Sequence, residues 1–200
     1  MNELLNYKII LWDFDGVILD SNEIRELGFT RVLSDFPEEA CNELLRFHRA
    51  NGGLSRYVKF KYFFEEILGF PVNVEMISEY SKRFSEIMKS SLVSKRLLIE
   101  DNIEVIRKHW SAKSMFIVSG SDQEELRYLC KELEIDKYFK EILGSPVPKN
   151  ELVCRLLKEN RFDPDDCVLV GDSINDLEAA SHNNISFIPY NYVDPNVINL

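Results

Sequence analysis

Asp13 and Asp15 stand one residue apart in Asp13-Phe14-Asp15-Gly16, at the end of the apolar run Ile9–Trp12. Two carboxylates this close repel each other unless a cation or a shared proton offsets the charge. Gly16 permits the sharp turn and exposed amides that an anion needs. A second acidic pair lies in Val170-Gly171-Asp172-Ser173-x-x-Asp176. Spaced four apart, Asp172 and Asp176 can reach one side of a helix start. In Ile117-Val118-Ser119-Gly120-Ser121, hydroxyls and free amides could hold a phosphate at a helix N-terminus. The fourth candidate is Lys149, which follows Pro148 and precedes a helical pattern. Each also has a plainer reading: a D-G turn, a helix cap by Asp172 or Ser173, an N-cap at Ser121, and a solvated lysine.

These residues need a scaffold that brings them together. Short apolar runs at Tyr7–Phe14, Met115–Ser119, Cys167–Gly171 and Ile185–Pro189, with a weaker one at Glu141–Gly144, read as strands covered on both faces. Helical patterns alternate with them. One opens on Ser121-Asp122-Gln123-Glu124 as a capping box and continues through Leu126, Leu129, Cys130 and Leu133. Another carries Leu152, Leu156 and Leu157, and a third starts at Asp101 with Glu104 three residues on. The alternation over residues 95–200 predicts an α/β fold with a parallel sheet. In such sheets ligands bind at the carboxyl ends of strands, where Asp13, Ser119 and Asp172 all fall.

Residues 21–95 differ, with no convincing strand. A helix start at Asp35-Phe36-Pro37-Glu38 is followed by Cys41, Leu44, Leu45 and His48. Ile77, Tyr80, Phe84, Ile87 and Met88 mark a second helix, and Tyr57–Leu68 reads as a third. A helical insertion thus separates the first strand from the remaining α/β body.

At 200 residues the chain can bury roughly 70% of its unfolded surface without disulfides or metals to help. A formal charge of −10 opposes a nucleic-acid partner, though a local cationic or metal centre can still take an anionic substrate. Cys41, Cys130, Cys154 and Cys167 form no C-x-x-C pair and read as reduced thiols. The N-terminus has no basic n-region, and its first apolar run, Ile9 to Leu19, is broken by Asp13 and Asp15, so no ordinary signal peptide is expected. No apolar run is long enough to span a membrane, so a cytoplasmic location is expected.

The ordered set Asp13-x-Asp15-Gly16-Val17-x-x-Asp20-Ser21, Ser119-Gly120, Lys149 and Gly171-Asp172-Ser173-x-x-Asp176 resembles the haloacid dehalogenase-like superfamily of hydrolases. The motifs keep that superfamily's chain order over the whole length. The insertion falls where C1-capped members, including phosphoglycolate phosphatases and β-phosphoglucomutase-like proteins, carry their cap. The resemblance implies a Rossmann-like parallel-sheet core over 1–20 and 95–200, with a mobile helical C1 cap over 21–94.

It also implies roles. Asp13 would be the nucleophile that forms an aspartyl-phosphate, and Asp15 the general acid and base. Mg²⁺ would be held by the Asp13 side chain, the Asp15 backbone carbonyl and Asp172. Ser119 and Lys149, with Gly16 and Gly120 beside them, would bind the phosphate, and Asp176 with Ser173 would steady the centre from behind. An aspartate at position 15 fits phosphatases and phosphomutases, because an alkoxide leaving group needs an acid there. In the insertion, Asn51-Gly52-Gly53-Leu54-Ser55-Arg56 resembles a substrate-contacting cap loop. Arg56, with Lys59 after it, would meet substrate hydroxyls or a second anionic group. His48, Arg49 and Arg25 are weaker candidates of the same kind. The function implied is a Mg²⁺-dependent phosphatase of a small phosphorylated metabolite. A phosphomutase and a non-catalytic phosphate-binding regulator stand as alternatives.

Overall fold

A computed structural model describes residues 3–192, so residues 1–2 and 193–200 of the expected core lie outside the described residues. The apolar runs become β1 (Ile9–Trp12), β2 (Ser114–Asp122), β3 (Glu141–Ser145), β4 (Cys167–Gly171) and β5 (Ser186–Pro189). They form one sheet in the order β3-β2-β1-β4-β5, with every neighbouring pair parallel. Four helices, α1 (Asn22–Val32), α2 (Glu38–Ala50), α3 (Arg56–Tyr62) and α4 (Val74–Ser91), intervene after β1. The remaining helices are α5 (Glu100–His109), α6 (Gln123–Glu132), α7 (Lys149–Asn160) and α8 (Ile174–His182).

Parallel strands require crossovers, and helices laid on both faces explain why β1 is apolar throughout. Ile10 and Trp12 share a core with Ile103 and Ile106 of α5 and Leu126 and Leu129 of α6. The alternate residues Ile9 and Leu11 join Leu152 and Leu156 of α7 and Ala179 and Ala180 of α8. The chain leaves β1 toward β2 on one side and leaves β4 toward β5 on the other. The carboxyl ends of these two adjacent strands therefore flank the crevice where such sheets bind ligands.

The insertion packs around a buried aromatic cluster of Phe29, Phe60, Phe63, Phe64 and Phe84. Its helix α4 is capped by Asn73, whose side chain accepts the Met76 N–H at 2.9 Å. Three local expectations differ from what is found. The expected helix over Tyr57–Leu68 stops at Tyr62 and continues as a π-helical turn over Phe63–Ile67, which buries two consecutive phenylalanines. Helix α6 is capped by Asp122, not Ser121, whose hydroxyl is drawn to Asp15 instead. Helix α5 begins at Glu100 with no side-chain cap, so the expected Asp101 start with Glu104 is not formed. All four cysteines are free; Cys154 is half-buried and the others are buried. Among the described residues no helix is long and apolar enough to cross a membrane.

Candidate active site

The β1 ladder carries on past Trp12, where the Asp13 N–H donates to Val170 O at 2.9 Å and pins Asp13 beside β4. The Asp13 side chain is buried. One of its oxygens accepts the ammonium of Lys149, the first residue of α7, at 2.7 Å. The same ammonium bonds Asp176 on α8. The other Asp176 oxygen accepts both the Ser173 N–H at 3.1 Å and the Ser173 hydroxyl at 2.6 Å. Carboxylate oxygens of Asp13, Asp172 and Asp176 all lie within 4.8 Å of one another. Gly16 makes room for this crowding: its φ is +75°, and a Cβ there would come 1.9 Å from an Asp172 oxygen.

Charge density shapes the protonation of these groups. Burial, reinforced by Asp176 and Asp172, drives the Asp13 carboxyl well above the ordinary aspartate range, against the pull of Lys149. Burial and the neighbouring Asp176 push Asp172 up to about 6. Burial lowers Lys149, but its two carboxylate partners more than reverse that and raise it.

The Asp15 side chain turns away from this cluster. One oxygen accepts the Ser21 hydroxyl and the Arg25 Nε, each at 2.5 Å; the other accepts the Ser121 hydroxyl at 2.5 Å. Burial alone would raise its pKa, yet Arg25 and the two hydroxyls hold it below the usual aspartate value. Arg25, on α1, also donates to Glu125 of α6 at 2.9 Å, and the second Glu125 oxygen takes Arg56 of α3 at 2.5 Å. Sequence reasoning missed Glu125 altogether. Its one signal is an acidic residue four before Leu129 on the apolar face of α6.

Ser119 is fully buried, and its hydroxyl accepts the Ser121 N–H at 3.1 Å. At Gly120 a Cβ would fall 2.2 Å from the Gly53 carbonyl oxygen, so the turn at Gly52-Gly53 lies directly on the carboxyl end of β2. A cleft of about 700 Å³ opens between sheet and insertion, lined among others by Asp13, Asp15, Arg25, Ser119, Arg56 and Asp172. Gly120 and Ser173 border it too, whereas Lys149 faces an adjoining cavity of about 420 Å³. Asp13, Asp15, Ser119, Gly120, Asp172, Ser173 and Arg56 thus border one cleft, while Lys149 and Asp176 are tied to it from behind through the bond of Lys149 to Asp13. Arg56 is buried, and its guanidinium also covers the Phe84 ring at 4.6 Å. Lys59 donates to His48 Nδ1 at 2.8 Å and to Gly52 O at 3.0 Å, while Arg49 grips Glu26 at the surface.

Residues 10–189 match the model of the haloacid dehalogenase-like hydrolases, and the chain belongs to that family. Among curated proteins it is 26% identical to a 5′-nucleotidase of Pseudomonas aeruginosa, over 94% of this chain and 84% of that one. Among solved structures it is similar to a predicted phosphoglycolate phosphatase from Haemophilus somnus, with a TM-score of 0.71 and 17% identity. That match covers 94% of this chain and 86% of the other. It is also similar to Rhodobacter sphaeroides CbbY in complex with xylulose-1,5-bisphosphate, with a TM-score of 0.72 and 17% identity over 92% and 87% of the two chains. Likeness to these two structures is a likeness of fold.

Proposed function

We propose that the protein is a Mg²⁺-dependent phosphatase that hydrolyses a small phosphate monoester through an aspartyl-phosphate on Asp13. The observation that carries this reading is Asp13 itself, a buried carboxylate at the end of β1 between the Lys149 ammonium and Asp172. A carboxylate attacking a phosphate dianion is repelled, so cationic groups withdrawn from water must offset the charge. Lys149 is one such group, already in contact with the attacking side chain.

The donor set suits a divalent cation. Both Asp176 oxygens are engaged by Lys149 and Ser173, which leaves Asp13 and Asp172 with open lone pairs in a cluster short of positive charge. These two side chains and the Asp15 carbonyl would hold Mg²⁺, a cation usually bound by one or two carboxylates plus phosphate and waters. When bound, the ion would neutralise charge on the transferring phosphoryl group.

The chain's own groups carry the remaining work. Asp13 attacks phosphorus. Ser119 and the amides at Gly16 and Gly120 bind phosphoryl oxygens, and Asp176 with Ser173 orients Lys149. Asp15 donates a proton to the departing oxygen and later takes one from water, which requires its carboxyl to leave the grip of Arg25. Residues 21–94 act as the cap that excludes water over the cleft.

The test is phosphate release, with Mg²⁺ and with EDTA, from a panel of hexose and pentose phosphates, glycerol 3-phosphate and nucleoside 5′-monophosphates. The nucleotides are included because of the 5′-nucleotidase relative. Metal-dependent release that disappears in Asp13→Asn is the expected result. Isomerisation of a sugar phosphate without release would overturn it in favour of a phosphomutase, and binding without turnover in favour of a regulator.

A further inference from the structure

Arg25 and Arg56 both line the cleft, and the Nη2 nitrogen of each is buried with no hydrogen-bond partner among the described residues. Their side chains are only 7% and 3% exposed. A buried charged donor left unpaired is costly, so two of them bordering one cleft point to an acceptor supplied from outside the chain.

The surroundings limit what that acceptor can be. Glu125, with no exposure at all, takes one nitrogen from each arginine, and Asp15 takes Arg25 Nε. The two cations are therefore already matched by two buried anions. Lys59 donates to His48 Nδ1 and the Gly52 carbonyl, and burial with the nearby Arg25 draws it down to about 7. Farther out, Arg49 is occupied by Glu26 and Arg46 is exposed at the rim. A second phosphate or a carboxylate reaching Arg25 and Arg56 would be forced beside Glu125, which both arginines share, and like charges brought together out of water are strongly disfavoured. A hydroxyl or carbonyl oxygen satisfies the free N–H groups and leaves the charge balance intact.

We propose that this wall selects phosphate monoesters whose non-reacting end is uncharged and rich in oxygen acceptors, and that Glu125 is the residue that turns away a second anionic group. Without Glu125 the paired arginines would form an anion site; with it they form a hydroxyl site. Of the two roles open to Arg56 from sequence, the hydrogen-bonding one is retained and the anion-binding one is set aside. This inference rests on the phosphatase reading above.

The experiment compares matched esters that differ by one carboxylate in place of a hydroxymethyl group: glycerol 3-phosphate against 3-phosphoglycerate, and glucitol 6-phosphate against 6-phosphogluconate. The wild type is expected to favour the neutral member of each pair by at least about tenfold in kcat/KM, mostly through KM. In Glu125→Gln the ratio narrows through a gain on the anionic ester. The ratio is the readout because any disturbance of Asp15 through Arg25 weighs on both esters alike. Equal or reversed preference in the wild type overturns the proposal, as does an unchanged ratio in a folded Glu125→Gln protein. Should that variant fail to fold, the wild-type ratios decide alone. If no ester is hydrolysed, the phosphatase reading fails separately, and the calorimetric Kd values of the same pairs take over. Tighter binding of the neutral esters then sustains the proposal, and equal or reversed binding overturns it.

Discussion

The Lys149 ammonium lies 2.7 Å from one oxygen of Asp13, with only 5% of either side chain exposed. It is bonded to Asp176 at the same time, so one cation holds two buried carboxylates apart and in place. In Lys149→Met those carboxylates lose their counter-charge. Removing one partner of a buried pair costs about 3–5 kcal/mol, and losing one preorganised charge contact costs roughly 10²–10³ in kcat. Denaturant melts and single-turnover rates on the folded fraction separate the two effects. A variant within threefold of wild type in both would contradict this reading of Lys149.

Asp13 and Asp172 are expected to part company from Asp176 in metal binding. Titration calorimetry with Mg²⁺ should give at least about tenfold weaker binding for Asp172→Asn than for wild type. Asp13→Asn should lose nearly all turnover, and retention of even a tenth would remove it as nucleophile. Chelation by EDTA should abolish release, and added Mg²⁺ should restore it.

The turn at Gly53 and the strand end at Gly120 touch too closely to admit a methyl group, since a Cβ at Gly120 would lie 2.2 Å from a backbone oxygen. Gly120→Ala must therefore lift the Gly52-Gly53 turn away from β2. Overpacking of this kind costs about 1–3 kcal/mol. Faster protease cleavage near Asn51–Ser55, together with a raised KM, is the expected result.

Lys59 sets a pH dependence of stability. Its amine is depressed from 10.5 to about 7, first by burial and then by Arg25. Between those values the unfolded chain holds a proton that the folded chain lacks, so the lysine's contribution to stability rises with pH across that window. Lys59→Met removes this slope. Its unfolding free energy relative to wild type should be most favourable near about pH 6 and decline toward about pH 9, by more than about 1 kcal/mol. Parallel curves at the two pH values would show Lys59 to be solvated and ordinary.

Much of the scaffold is local information. Continuous apolar runs of four or five residues announce strands covered on both faces, and β4 runs from Cys167 to Gly171 as its pattern predicts. Helix α1 was not legible, because it buries Arg25 and Gly28 and shows no clean apolar stripe. The expected cap at Ser121 fails for a related reason: a nearby hydroxyl fits the local rule, while the stronger acceptor, Asp15, lies 106 residues away in the chain.

From sequence alone, spacing and residue type set Asp13, Ser119 and Asp172 at strand ends, and the resemblance to the superfamily adds Lys149 and Asp176 behind them. Only the tertiary structure decided how those charges are divided. Asp13 and Asp15 are neighbours in sequence, yet one joins Lys149 and the acidic cluster while the other is claimed by Arg25, Ser21 and Ser121. Local pattern follows the 2.0 and 3.6 periodicities of strand and helix, and these are visible in any short window. Ion pairing between Glu125 and two arginines 100 and 69 residues away has no such period, because it exists only once the insertion rests on the sheet.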